Sequence, residues 1–85
     1  MSTFRLTVST PDGEKFSGDA EALFVRGSEG DLAVLADHAP LVTAVKGCTC
    51  RIVTEDGEIS AEITGGLLNV AESGDTVLLT MTFEQ

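Results

Sequence analysis

Turn-forming residues recur at short intervals along the whole chain, and this spacing is the strongest constraint on its fold. Successive turn signals lie about 8 to 12 residues apart, which leaves room for strands but not for long helices. No stretch of about ten residues carries the 3.6-residue apolar period of an amphipathic helix. The turn and break signals are Pro11-Asp12-Gly13, Gly18-Asp19, Gly27-Ser28-Glu29-Gly30, Asp37-His38-Ala39-Pro40, Gly47, Glu55-Asp56-Gly57, Gly65-Gly66 and Glu72-Ser73-Gly74-Asp75. The sequence therefore predicts an all-β fold of about ten short strands, arranged as a β-sandwich or flattened barrel.

Between the turns, apolar residues alternate with the period of two that is typical of half-buried strands. The alternating sets are Phe4, Leu6 and Val8, then Cys48, Cys50 and Ile52, then Ile59, Ala61 and Ile63, and finally Val77, Leu79, Met81 and Phe83, which alternate with Thr76, Leu78, Thr80 and Thr82. Glycines are expected to delimit the strands in the middle of the chain. Gly47 is predicted to end one strand, and Gly65-Gly66 is predicted to break another.

The chain has 85 residues, of which 42% are hydrophobic, and this favours one folded domain over residues 1–85 with a single core. No run of about 18 apolar residues is present, so we expect no direct insertion into a membrane. Met1-Ser2-Thr3 leads directly into an alternating strand, without the basic and apolar regions of a secretory leader. We therefore expect neither a signal peptide nor a transit peptide.

Acidic residues outnumber basic ones by 14 to 5, which gives a net charge of −9. This charge repels phosphate backbones, so we do not expect nucleic acid as a partner. Acidic surface residues commonly serve only to keep a small domain soluble. The alternative that the charge leaves open is a basic protein partner.

The residues that could support catalysis or metal binding are few. Cys48 or Cys50 with His38 and Asp37 is the only conceivable set for a cysteine nucleophile. A metal centre would have to use Cys48, Cys50 and His38. The alternation points the thiols toward the core, a metal would need a further ligand, and no glycine-rich phosphate loop of the GxxxxGK[ST] type is present. We therefore expect no catalytic, metal-binding or cofactor-binding residues, and no enzyme activity.

The segment from Gly27 to Gly47 reads GSEGDLAVLADHAPLVTAVKG. It closely resembles the G-x-E-G-x-x-G-x-x-x-x-H-A-P-L-x-T segment of the epsilon subunit of the F-type ATP synthase. Phe16-Ser17-Gly18 is similar to the F-x-G signature of that family, and the segment from Ile63 to Val70 is similar to its I-x-G-G-x-x-x-V strand pair. The three matches occur in the family's order and spacing across the chain.

Two departures from the family pattern fall within that segment. Ala33 stands where the family usually has glycine, and Ala36-Asp37 replaces the usual proline-glycine before His38. They affect the expected shape of one turn rather than the identification. The family usually continues into a helical C-terminal domain, whereas this sequence stops at Gln85. The resemblance thus implies the N-terminal β-sandwich domain alone, without a C-terminal helical hairpin.

The resemblance implies a non-catalytic rotor subunit in the central stalk of the F1 sector, which links the gamma subunit to the c-ring and supports the coupling of ion transport to ATP synthesis. It places the protein peripherally on the cytoplasmic face of the energy-transducing membrane. By the same resemblance, Glu29 and Asp31 approach the polar loops of the c-ring. The implied gamma contacts are Thr10, His38, Ala39, Pro40, Leu41 and Thr43. The residues alone leave a different class open, a free-standing acidic β-sandwich module that binds a basic protein or ligand.

Overall fold

The protein is described by a computed structural model that covers residues 2–85. Within this range it contains eight β-strands and no helix, so the all-β prediction is confirmed. The strands are β1 (Phe4–Thr10), β2 (Gly13–Ala20), β3 (Ala22–Gly27), β4 (Gly30–Leu35), β5 (Leu41–Thr54), β6 (Gly57–Val70), β7 (Thr76–Thr80) and β8 (Phe83–Glu84).

The strands pair in the order β2-β1-β7-β6-β5-β3-β4, and β8 pairs separately with β6. β1 and β7 are parallel, and the other pairs are antiparallel. The order begins at β2 and ends at β4, so the sheet does not close into a barrel. It folds over on itself instead, and β2 comes back into contact with β5. The result is a sandwich around one core.

Two long strands account for the difference between the eight strands observed and the roughly ten predicted. β5 and β6 each have 14 residues and pair with each other along almost their full length. Gly47 does not end a strand, and Gly65-Gly66 does not break one, because both segments lie inside this ladder. The ladder lacks only the pair between Gly47 and Thr64, and Gly65 next to it has a φ of 109°. The glycines therefore mark the place where the two long strands pass from the half of the sandwich that contains β7 to the half that contains β3.

The core is formed by the inward-facing residues of seven strands, β1 to β7, and most of the predicted alternation is confirmed. Its buried cluster consists of Phe4, Leu6, Val8, Ala20, Leu23, Val25, Val34, Val45, Cys50, Ile52, Ile63, Leu68, Val70 and Leu78. Residues from both halves of the folded sheet belong to this cluster. Burial of these side chains provides the main driving force for folding.

β7 buries the more polar of its two faces. Thr76, Leu78 and Thr80 are buried, whereas Leu79 points outward. The two threonines are tolerated inside because their hydroxyls are satisfied: Thr76 Oγ1 donates to the Gly74 carbonyl at 3.1 Å, and Thr80 Oγ1 contacts the Gly65 carbonyl at 2.9 Å. The other face of this strand, with Val77 half-buried and Leu79 exposed, is consequently turned outward.

Candidate functional site

A row of residues crosses four strands on the outer face of the sandwich. Ser9 of β1 is opposite Leu79 of β7, Leu79 is opposite Leu67 of β6, and Leu67 is opposite Ala44 of β5. Neighbouring strands lie about 4.8 Å apart, so the row is about 14 Å long. Paired residues point to the same side of a sheet, which places these four side chains on one surface.

This surface, here called the outer apolar face, carries four of the large hydrophobic side chains that the fold exposes. They are Val42, Leu67, Leu79 and Met81, with exposed fractions of 65%, 43%, 48% and 66%. Beside them runs a shallow groove with a volume of about 440 Å³. The groove is lined by Ser9, Thr10, Pro11, Gly65, Gly66, Leu67, Leu79, Thr80 and Met81. Contiguous exposed apolar surface of this kind marks an interaction site more often than an ordinary solvated face.

The residues for which the resemblance implies a gamma contact occupy two places. Thr10 lines the groove at one end of the row. The segment from His38 to Thr43 connects β4 to β5 and begins β5, next to Ala44 at the other end of the row. The outer apolar face therefore joins the two groups, although its central leucines were not among the residues implied by the resemblance.

The turn before β5 is held by local hydrogen bonds. The His38 amide donates to the Leu35 carbonyl at 3.0 Å, and His38 Nδ1 lies 2.6 Å from the Ala39 carbonyl oxygen. Ala39 and Pro40 are exposed, whereas Leu41 packs against the core. The large hydrophobic side chain that this segment exposes is that of Val42, not that of Leu41.

The β3–β4 hairpin presents the acidic residues at its tip. Gly30 adopts a φ of 131°, which suits glycine in the tight turn, whereas Gly27 keeps an ordinary φ. Glu29 lies in the turn and is exposed, and Asp31 follows on β4. Asp31 is not free, because its Oδ1 accepts a hydrogen bond from Arg26 Nε at 3.1 Å.

The acidic tip and the start of β5 form one continuous surface. Ser28 links them, because its amide donates to the Ala44 carbonyl at 3.0 Å and its hydroxyl lies 3.4 Å from the Thr43 hydroxyl. A groove of about 420 Å³ runs between the two segments. It is lined by Gly27, Glu29, Gly30, Asp31, Leu32, Leu41, Val42 and Thr43. The implied ring contacts and part of the implied gamma contacts thus share one groove.

The two cysteines are free thiols, and both are at least partly buried in the sandwich. Cys50 is buried, and its pKa is raised to about 12 by burial and, to a smaller extent, by Cys48. Because the thiolate is the nucleophilic form, Cys50 is unreactive at neutral pH. Cys48 is half-buried, and its Sγ accepts a hydrogen bond from the Arg26 amide at 3.4 Å, where the pairing between β3 and β5 is interrupted.

Within residues 2–85 no group of three or more His, Cys, Asp or Glu side chains is arranged to hold a metal ion. In the same range, no helix has the length and hydrophobicity needed to cross a membrane.

Comparison with known proteins gives consistent matches. A family model described as the beta-sandwich domain of the ATP synthase delta/epsilon chain matches residues 3–84. The ATP synthase epsilon chain of Ruminiclostridium cellulolyticum is 42% identical over 84 residues, which cover 99% of this chain but 62% of that protein. The epsilon chain of Frankia casuarinae is 39% identical over 75 residues, which cover 87% of this chain and 88% of that protein.

Solved structures show the same fold. A chain in the structure of the Euglena gracilis mitochondrial ATP synthase, which includes OSCP, F1 and the c-ring, superposes with a TM-score of 0.88 at 24% identity. The match covers 98% of this chain and 53% of that one. A chain of the Tetrahymena thermophila central stalk and c-ring gives a TM-score of 0.83 at 15% identity, over 94% of this chain and 64% of that one.

Proposed function

The chain belongs to the delta/epsilon chain family of ATP synthase, and we propose that it acts as a non-catalytic rotor subunit of the central stalk, linking the gamma subunit to the c-ring. Its role is mechanical, because it supports the coupling of ion transport to ATP synthesis. The synthesis of ATP itself is catalysed by other subunits. We place it peripherally on the cytoplasmic face of the energy-transducing membrane, as part of the complex.

The observation that carries this proposal is the outer apolar face. A small acidic domain that worked alone would gain nothing from exposing Leu67, Leu79 and Met81 side by side, because such surface promotes association. A subunit that is permanently covered by a partner gains binding free energy from the same residues. We assign this face, together with Thr10 and the segment from His38 to Thr43, to the gamma subunit.

The acidic hairpin tip is assigned to the c-ring. Basic groups on the loops of the ring would be attracted by the carboxylates at the tip, and a ring offers an equivalent partner at every position. Attraction of this kind favours encounter and orientation more than a single fixed bond. Since the tip and the start of β5 share a groove, the two partners would meet next to each other on this domain.

Isolation of the chain from its own membranes distinguishes the proposed function from the alternative of a free-standing acidic module. After gentle detergent extraction, an affinity-tagged chain is expected to bring down the gamma and c subunits in fixed stoichiometry, as measured by quantitative mass spectrometry. Recovery of a basic protein without gamma and c would contradict the rotor assignment and favour the module.

A further inference from the structure

Four of the five lysines and arginines have an acidic residue beside them. Arg26 and Arg51 form ion pairs with carboxylates, at nitrogen–oxygen distances of 3.1 and 3.6 Å. Arg5 is directly opposite an aspartate in the β1–β2 ladder, and Lys15 directly follows a glutamate in the chain. The remaining one is Lys46, whose partner in the β5–β6 ladder is a glycine. Within residues 2–85, no ion pair involves Lys46.

Lys46 lies at the border of the outer apolar face. Alternate residues of a strand point to the same side, so Lys46 shares the outward side of β5 with Val42 and Ala44, whereas the intervening Val45 belongs to the core. The ladder partner of Lys46 is Gly65, which lines the groove of this face and has no side chain to cover the lysine. The amino group of Lys46 is therefore presented to solvent beside the groove.

The rows that make up this face carry no charge. A second row of paired residues crosses the same four strands next to the row described above. The two rows are Ser9, Leu79, Leu67 and Ala44, and Thr7, Val77, Asn69 and Val42. All eight residues are uncharged, although the chain contains 14 acidic residues. The first charge that follows these rows along β5 is the cation of Lys46.

A cation at the edge of an apolar surface favours a partner that has an anionic group in the matching place. When the apolar residues are covered, an ammonium group beside them loses water, and this loss is costly unless another group pairs with the charge. The apolar stem of a lysine can pack along the covered surface while its charged end reaches the edge. Since no carboxylate of the chain pairs with Lys46, its amino group is available to a partner.

We propose that Lys46 forms an ion pair with an aspartate or glutamate of the gamma subunit, at the edge of the surface that covers the outer apolar face. The proposal rests on the assignment of this face to gamma. It describes the matching surface of gamma as apolar and bordered by a carboxylate. Because charged groups at the edge of an interface contribute more to orientation than to affinity, Lys46 fixes how gamma sits on the face.

Zero-length cross-linking of the complex tests this pair directly. A carbodiimide activates a carboxylate, and a lysine amino group in contact with that carboxylate displaces the activating group and forms an amide bond. The full chain in complex with the purified gamma subunit of the same organism is treated in this way, and the linked peptides are identified by mass spectrometry. We expect a link from Lys46 to an acidic residue of gamma. Lys46→Arg is the control, because it keeps the charge and the binding but cannot form the amide.

Charge variants measure the effect of the pair on binding. At about 0.1 M salt, Lys46→Met is expected to bind gamma about 1.4- to 5-fold more weakly, as is typical of one exposed ion pair. Lys46→Glu should bind more weakly still, because it places two negative charges together. Ser60→Asp changes the net charge by the same amount as Lys46→Met, but it lies opposite Arg51 on the other half of the sandwich and should bind like the wild type. At about 1 M salt the Debye length falls from about 10 Å to 3 Å, and the effect of Lys46→Met should largely disappear.

Three results would overturn the ion pair. They are wild-type affinity of Lys46→Met at the lower salt, an intact wild-type complex that gives no link from Lys46, and a loss of binding in Ser60→Asp as large as that in Lys46→Met. The third result would show that only the net charge of the chain matters. Absence of wild-type binding to gamma would instead refute the assignment of the outer apolar face, and the ion pair with it.

Discussion

Replacement of Gly66 by alanine is expected to destabilise the domain by about 3 kcal/mol or more. A Cβ at this position would overlap the Leu79 carbonyl oxygen and lie 2.8 Å from the Leu79 carbonyl carbon and 3.0 Å from Thr80 Cα. All three atoms belong to the backbone of β7, so no side-chain rotation relieves the clash and the β6–β7 ladder must separate. For a domain of this size, the loss lowers the melting temperature by about 12 to 24 °C.

Gly18→Ala is the matched control, because Gly18 also lies inside a strand. A Cβ there would have a single neighbour within contact range, Phe16 Cζ at 3.7 Å, and the backbone φ is one that alanine adopts. Its melting temperature should stay within a few degrees of that of the wild type. Both are measured by circular dichroism in the β-sheet band at about 218 nm. Equal melting temperatures for Gly66→Ala and Gly18→Ala would contradict the close approach of β6 and β7 at Gly66.

Leu79→Asp is expected to weaken binding to the gamma subunit by about 30-fold or more. Leu79 lies in the middle of the row that crosses the outer apolar face, and a carboxylate there would have to be desolvated against apolar surface. The few residues that dominate an interface cluster near its centre and contribute about 2 kcal/mol or more each, which is about 30-fold in the dissociation constant. Isothermal titration calorimetry with the purified gamma subunit of the same organism measures the change.

Ser60→Asp controls for the added negative charge. Ser60 is exposed on β6 but lies opposite Arg51, on the other half of the sandwich. This variant should bind gamma like the wild type. Both variants should retain the fold, since Leu79 is already half-exposed. If Leu79→Asp bound gamma as tightly as the wild type, the outer apolar face would not be part of the gamma interface.

The sequence predicts the all-β class well, because turn chemistry and apolar alternation are local properties. It does not predict that strands continue through Gly47 and Gly65-Gly66. A glycine ends a strand in one context and allows it to bend in another, and the choice depends on the partner strand. Here the 14-residue strands β5 and β6 support each other across the bend. The strand count depends on that long-range pairing.

The residues of the candidate site also could not be predicted from local sequence alone. The alternation in β7 sets Val77, Leu79 and Met81 apart from Thr76, Leu78 and Thr80, but it does not say which set faces inward. Hydrophobicity alone favours burial of the first set, whereas the fold buries the second and satisfies its hydroxyls. The signal of the proposed docking surface is therefore a strand whose more apolar face is exposed, and this signal can be recognised only after the register is known. The pairing of Asp31 with Arg26 likewise depends on the register of β3 and β4.

The central claim is that the outer apolar face is covered by the gamma subunit, and hydroxyl-radical footprinting of the complex tests it most directly. Met81 is 66% exposed and readily oxidised to the sulfoxide in the free protein. Phe24, on the other half of the sandwich under the Arg51 guanidinium, serves as the internal reference. With saturating gamma, oxidation of Met81 and Leu79 should fall severalfold while that of Phe24 stays constant. Unchanged oxidation of Met81 in a complex shown to be intact would contradict the account.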